Sequence, residues 1–109
     1  MPKFMTIGYG DQAGYDKTDA DVRDAAHAND DLLKSRGATM GIAAAPVQVR
    51  NPEDRGTETQ QGPYMSSPLP VAGFALIEAA NLAEAIALVS KSPCAVAHGV
   101  IEVWPFEEG

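Results

Sequence analysis

Two β-forming runs in this chain each lead into a stretch of helical period, and that alternation limits the folds open to it. Residues 3–9, Lys-Phe-Met-Thr-Ile-Gly-Tyr, are rich in β-formers and closed by Gly10-Asp11, which predicts a first strand. Residues 10–18 read as a polar loop with Gly14 and Asp16. The spacing predicts a helix over 19–36. Thr18 or Asp19 can cap its first amides, Asp21 adds negative charge where the helix dipole favours it, and Gly37 is a natural stop. At ~100° per residue, Val22, Ala25, Ala26, Leu32 and Leu33 share one face, with Asn29 at its centre. Asp24, His27, Asp31 and Lys34 fall opposite.

Residues 39–49 predict a second strand, interrupted near Pro46. Asn51-Pro-Glu-Asp-Arg-Gly56 is a strong turn signal, and a short return strand at 57–60 would complete a hairpin. Pro63, Pro68 and Pro70 make 61–70 an irregular, stiff loop. Residues 71–78 are a third main strand. Asn81 opens a second helix, with Glu84 three residues on as a capping box. Leu82, Ile86 and Val89, with Ala85, are its expected buried stripe, and Pro93 marks its end. Residues 99–104 form the last strand, stopped by Pro105.

The order β-α-β-(β)-β-α-β is that of a ferredoxin-like α+β fold, here one domain over residues 1–109. Two helices on one side of the sheet leave its other face uncovered. A half-bare apolar sheet needs a partner, and a homodimer packed sheet to sheet is the economical solution.

The formal charge of −7 repels phosphate backbones and anionic lipid, and the eight Lys and Arg are scattered, so nucleic-acid binding is poorly supported. Cys94 is the single cysteine, which excludes an internal disulfide and a cysteine-based zinc site. No apolar run approaches the ~20 residues of a membrane span, so a soluble cytoplasmic protein is expected.

Few residues carry chemistry. His27 is either an acid/base group with Asp11, Asp30 or Asp31 beside it, or a solvated histidine bracketed by Asp24 and Asp31. Asn29, in the apolar stripe, needs a partner, because an unpaired buried carboxamide costs ~1–3 kcal/mol. That partner is either a neighbouring backbone group or a ligand. Asp11 lines a pocket mouth or caps a turn, with Tyr9 beside it. Tyr64, His98 and Trp104 are candidate ligand contacts, and each also has a plain reading as a packed or exposed side chain. Glu78 and Glu102 need partners such as Arg50 or Arg36 if they face a dimer interior. Cys94 has no base or cation beside it in sequence and reads as a structural thiol. The two histidines lack metal-ligand spacing and no phosphate-cradling glycine loop is present, so neither a metal nor a cofactor is expected.

Five pieces in order resemble one family. They are Tyr9-Gly10-Asp11 after the first strand, Leu32-Leu33 before Gly37, Gly62-Pro63-Tyr64, Gly73-Phe74 through Glu78-Ala79, and Gly99-Val-Ile-Glu-Val103 before Pro105. Together the chain resembles the YCII-related proteins, in particular the branch named for an Asp-Gly-Pro-Phe signature. The resemblance implies a dimeric α/β barrel with a pocket of small-molecule size. Gln61 stands where the signature has aspartate, and Trp104 where the family's ending has arginine. Some relatives pair a first-helix histidine with an aspartate, but that column holds Ala26 here, with His27 one residue, ~100°, away. Two functions follow from the resemblance. One is a cofactor-independent enzyme performing proton transfer, elimination or hydrolysis on a small polar metabolite. The other is a non-catalytic sensing or regulatory protein with a protein partner, such as one associated with an alternative sigma factor.

Overall fold

The computed structural model describes residues 1–107. Its main sheet has four antiparallel strands in the order β2-β5-β1-β6: β2 Thr39–Ile42, β5 Val71–Glu78, β1 Lys3–Tyr9 and β6 Val100–Phe106. With helices α2 (Ala20–Ser35) and α3 (Leu82–Val89) as crossovers, this is the ferredoxin-like arrangement. Phe4 pairs with Ile77, Thr6 with Ala75 and Gly8 with Gly73, and these residues point to the helix side. Period-2 alternation sends Met5, Ile7 and Tyr9 to the other face.

The core lies at one end of the helix-covered face. Phe4, Ile77, Ala79, Ala85 and Val89 pack together, with Leu88, Ile101 and Val103 around them. Ile77, 1 % exposed, is the largest side chain buried completely. At the other end of the same face the strands carry Gly8 and Gly73, and no large side chain fills the space beneath α2.

Several local features depart from the sequence expectations. Residues 39–49 are two strands in two sheets. Only β2 joins the main sheet, while β3 (Val47–Arg50) pairs with β4 (Glu58–Gln61) in a separate hairpin. Pro46, between them, lacks the amide that would continue a ladder. The expected loop at 10–18 contains α1 (Gln12–Asp16), capped by Asp11, whose Oδ1 accepts from the Gly14 amide at 2.8 Å. A Cβ on Gly14 would stand 2.4 Å from the Ala97 carbonyl oxygen, so only glycine fits that packing. Neither expected cap of α2 forms. Asp19 makes no side-chain cap bond, and the Thr18 hydroxyl donates to the Gly14 carbonyl at 2.8 Å.

Both helices are rotated relative to their apolar stripes. On α2 only Ala26 and Leu33 are buried, and Val22 and Leu32 are exposed. On α3, Ala85 and Val89 are buried while Leu82 and Ile86 are exposed. The short helix α4 (Pro93–Val96) supplies the reason for α2. It packs against α2, and the end of α3 and Ser92 just before α4 take the Asn29 amide, whose Nδ2 donates to the Leu88 carbonyl at 3.0 Å and the Ser92 hydroxyl at 3.3 Å. The α3 capping box does form, with Asn81 Oδ1 accepting from the Glu84 amide at 2.9 Å. Glu84 reaches back to the Ala80 amide at 3.3 Å. No helix among the described residues is long and apolar enough to cross a membrane.

Candidate functional site

A cavity of about 710 Å³ opens between α2 and the glycine end of the sheet. Its volume lies in the range of small-molecule pockets. Thr6, Gly8, Gly73 and Ala75 form its floor from the two central strands. Met40 and Val71 add apolar lining from β2 and β5, and Asp11, Tyr15, His27, Asp30 and Lys34 add polar lining from α2 and the segment before it, the cavity's polar rim.

The rotation of α2 brings its polar residues to this rim. With Ala26 and Leu33 turned to the sheet, His27, Asp30 and Lys34 follow at helical spacing along the cavity edge. His27 is exposed, and its Nε2 is hydrogen-bonded to the Tyr15 hydroxyl at 2.8 Å. The two rings are tilted at 58° with centroids 5.9 Å apart. Arg23 lies over the Tyr15 ring at 5.0 Å, a cation–π contact that adds to the hydrogen bond in holding the phenol. Asp30 is half-buried, and burial raises its carboxyl above the ordinary value of 3.8. The charges of His27 and Lys34 act against that rise, and Asp31 adds to it.

Cys94 sits at the base. A Cβ on Gly8 would meet its Sγ at 2.9 Å, so the thiol occupies the space that a side chain at residue 8 would need. Burial, and then the Asp30 charge, push the thiol up from its ordinary value. The arrangement disfavours a thiolate, and Cys94 contributes a soft apolar surface instead.

Of the residues singled out from the sequence, His27, Asp11, Asp30 and Cys94 line the cavity, and Asp11 spends one carboxylate oxygen on the α1 cap. The structure does not bring the others to it. Asn29 is engaged between helices by Leu88 and Ser92. Tyr9 is on the far side of the sheet, where its hydroxyl donates to Glu102 Oε1 at 2.5 Å. That bond, more than burial, raises the phenol above 10.0. Trp104 pairs in register with Met5 on the same far face. Tyr64 lies beside the β3–β4 hairpin, 80 % exposed, with Arg50 5.7 Å above its ring. His98 is an exposed residue with φ 65° that turns the chain into Gly99. Tyr15 and Gly8 had no signal in the sequence beyond their place next to predicted elements, and Gly73 had one only as part of a piece that resembles the family. Asp30 had one, as a neighbour of His27. Among the described residues, no group of three or more His, Cys, Asp or Glu is arranged to hold a metal ion.

The sequence matches the YCII-related domain over residues 2–108. The chain belongs to the YCII-related family. Among solved structures, this YCII-related chain is similar to 5-chloro-2-hydroxyhydroquinone dehydrochlorinase from Burkholderia phenoliruptrix AC1100, in complex with 2,5-dihydroxybenzoquinone. The similarity covers 98 % of this chain and 95 % of that one at 15 % identity, with a TM-score of 0.52. At that identity it is a likeness of fold, and it agrees with the mixed α+β architecture described above. No curated protein matches the sequence.

Proposed function

We propose that this YCII-related protein is a cofactor-independent enzyme that moves a proton on a small polar metabolite bound between α2 and the sheet. The observation that carries the proposal is the Tyr15–His27 hydrogen bond of 2.8 Å at the rim of the 710 Å³ cavity. A general base must lie within hydrogen-bond reach of the group it serves, and this pair meets that condition. The Tyr15 hydroxyl can give its proton to Nε2 as its oxygen takes one from a substrate C–H or O–H. The imidazolium formed is then stabilised by Asp30, whose charge already couples to His27. Elimination follows where the carbanion or alkoxide so formed expels a leaving group on the adjacent carbon. The dehydrochlorinase of similar fold lends support to this reaction class, by analogy alone.

Two further parts belong to the same reading. The bare sheet face carries Met5, Phe74, Val100, Trp104 and Phe106 exposed, and a second copy packed there would form the dimeric barrel. Gly62-Pro63-Tyr64, together with φ 97° at Gly62, supports placement in the Asp-Gly-Pro-Phe branch despite Gln61. Both fit a cytoplasmic enzyme.

The test is solvent-deuterium incorporation and halide release over a panel of small hydroxylated and halogenated metabolites. His27→Ala is expected to lower the rate on any active compound by ~10²–10⁴-fold, the usual worth of a general acid/base. Tyr15→Phe is expected to lower it as well. Undiminished turnover in the His27→Ala protein would overturn the proposal. A non-catalytic sensing role is the second reading, favoured by the engagement of Asn29 with backbone. It would be supported by tight ligand binding with no exchange or release.

A further inference from the structure

Two carboxylates line the cavity, and they differ in kind. Asp11 is exposed and caps α1, whereas Asp30 is half-buried. Among the described residues, none donates a hydrogen bond to Asp30 or forms an ion pair with it. Lys34, one turn further along α2, is exposed. A carboxylate only accepts hydrogen bonds, so one held partly out of water costs free energy until a donor reaches it. The field of Asp30 already extends to the base of the cavity, where it adds to burial in pushing the Cys94 thiol up. Leu33, Met40, Val71 and Val89 give the same cavity an apolar lining, and attraction between charges is screened least in such surroundings. The chain as a whole, at −7, draws cations and repels anions.

We infer that the cavity takes a small molecule carrying a protonated amine on an apolar body, with the ammonium donating to the Asp30 carboxylate. The inference deepens the proposed function and rests on the same site. It names the substrate class as aliphatic amines, and sets aside neutral and anionic compounds. A charged donor suits Asp30 better than a hydroxyl, because charge-assisted hydrogen bonds are roughly twice as strong as neutral ones. The placement also fits the chemistry. His27 lies three residues before Asp30 on α2, so their Cβ atoms are ~5–6 Å apart, and a C–H a few bonds from the nitrogen can reach the Tyr15–His27 pair. The ammonium then stabilises the negative charge left on the substrate when that proton is taken. The Asp30 charge offsets the repulsion between the ammonium and the imidazolium. Asp30 is thus a binding residue, facing His27, Asp31 and Lys34 on its own helix and the Cys94 thiol from α4.

Three probes on one skeleton test it by protein-observed NMR at pH 7: cyclohexylmethylamine, which is protonated there, cyclohexylmethanol and cyclohexanecarboxylate. The amine is expected to bind at least ~10-fold more tightly than the alcohol, and the carboxylate most weakly. The amine is expected to move the amide signals of Gly8 and Gly73 on the cavity floor. Asp30→Asn is expected to bring the amine to within ~3-fold of the alcohol while leaving the alcohol unchanged. Asp31→Asn removes the same charge from the exposed neighbouring residue, and is expected to keep the full gap. The inference is overturned if the wild type binds the amine within ~3-fold of the alcohol, if the floor amides do not move, or if folded Asp30→Asn keeps the gap. An equal loss in both variants also overturns it, by tracing the preference to net charge. Should Asp30→Asn not fold, Asp30→Ser takes its place with the same expectations. Deuterium exchange separates this from the proposed function. His27-dependent exchange on neutral or anionic compounds, with no preference for the amine, would sink the inference and keep the enzyme. The expected binding pattern with no exchange on any compound would sink the enzyme and keep the inference.

Discussion

Asp30 shows how one residue ties stability to the site. Burial holds its folded-state carboxyl above the 3.8 of an exposed aspartate. The folded chain therefore takes up this proton at a higher pH than the unfolded chain does. Between the two values the unfolded state binds fewer protons, and stability falls as pH rises through that window. Asp30→Asn removes the ionisation at nearly constant shape. The variant is expected to melt higher than the wild type at pH 7 and at about the same temperature at pH 3. A variant that melts lower than the wild type at pH 7 but not at pH 3 would show that the carboxylate is favourably held. Asn29, one residue earlier, shows what sequence could reach. Its position in an apolar stripe required a partner, and it has two, the Leu88 carbonyl and the Ser92 hydroxyl. Whether that partner was backbone or ligand depended on α4, which the stripe does not encode.

At the scale of elements, the long ones were readable and the short ones were not. The bounds of α2 and β1 follow from many turns of one period and from clear stops, such as Gly37 at φ 96°. Helices of 5 and 4 residues, α1 and α4, span barely a turn and leave no period to find. The β3–β4 hairpin is different again. The turn at 51–56 was visible, with Asn51 Oδ1 accepting from the Gly56 amide at 3.0 Å, but its detachment from the main sheet was not. Isolated two-stranded hairpins are marginal in water, and this one exposes Val47 and Val49. Replacing residues 47–61 by a short Gly-Ser linker is therefore expected to leave the melting temperature of the monomeric fold within about 2 °C, since few contacts with the core are lost. A drop of ~10 °C or more, measured by circular dichroism on dilute protein, would mean that the arm supports the domain.

Over the whole molecule, the second face of the sheet is the surface on which the proposed dimer would form. Met5, Phe74, Val100, Trp104 and Phe106 present an apolar surface around the Tyr9–Glu102 bond, and Trp104 is 54 % exposed. A stable dimer needs ~800 Å² from each partner, an area that a four-stranded sheet can supply. Glu102 needs a partner such as Arg50 or Arg36 if it faces a dimer interior, and on this face its carboxylate accepts from the Tyr9 hydroxyl. Trp104→Glu would place a second carboxylate two residues from Glu102 on this face. The wild type is expected to elute as a dimer at micromolar concentration, and the variant as a folded monomer. A monomeric wild type, or a dimeric variant, would show that this face is not the interface.

The sequence alone determined the order of the main-sheet strands and the two long helices, the α3 capping box, the turn at 51–56 and the ferredoxin-like fold. Each depends on local backbone preference or on a period that repeats within one segment. Tertiary structure decided which side of α2 meets the sheet, and with it that the exposed His27 borders the cavity. It also joined Gly8 to Gly73 and set Cys94 against Gly8, contacts between residues far apart in the chain. The cavity is made by those pairings, and no single segment contains it.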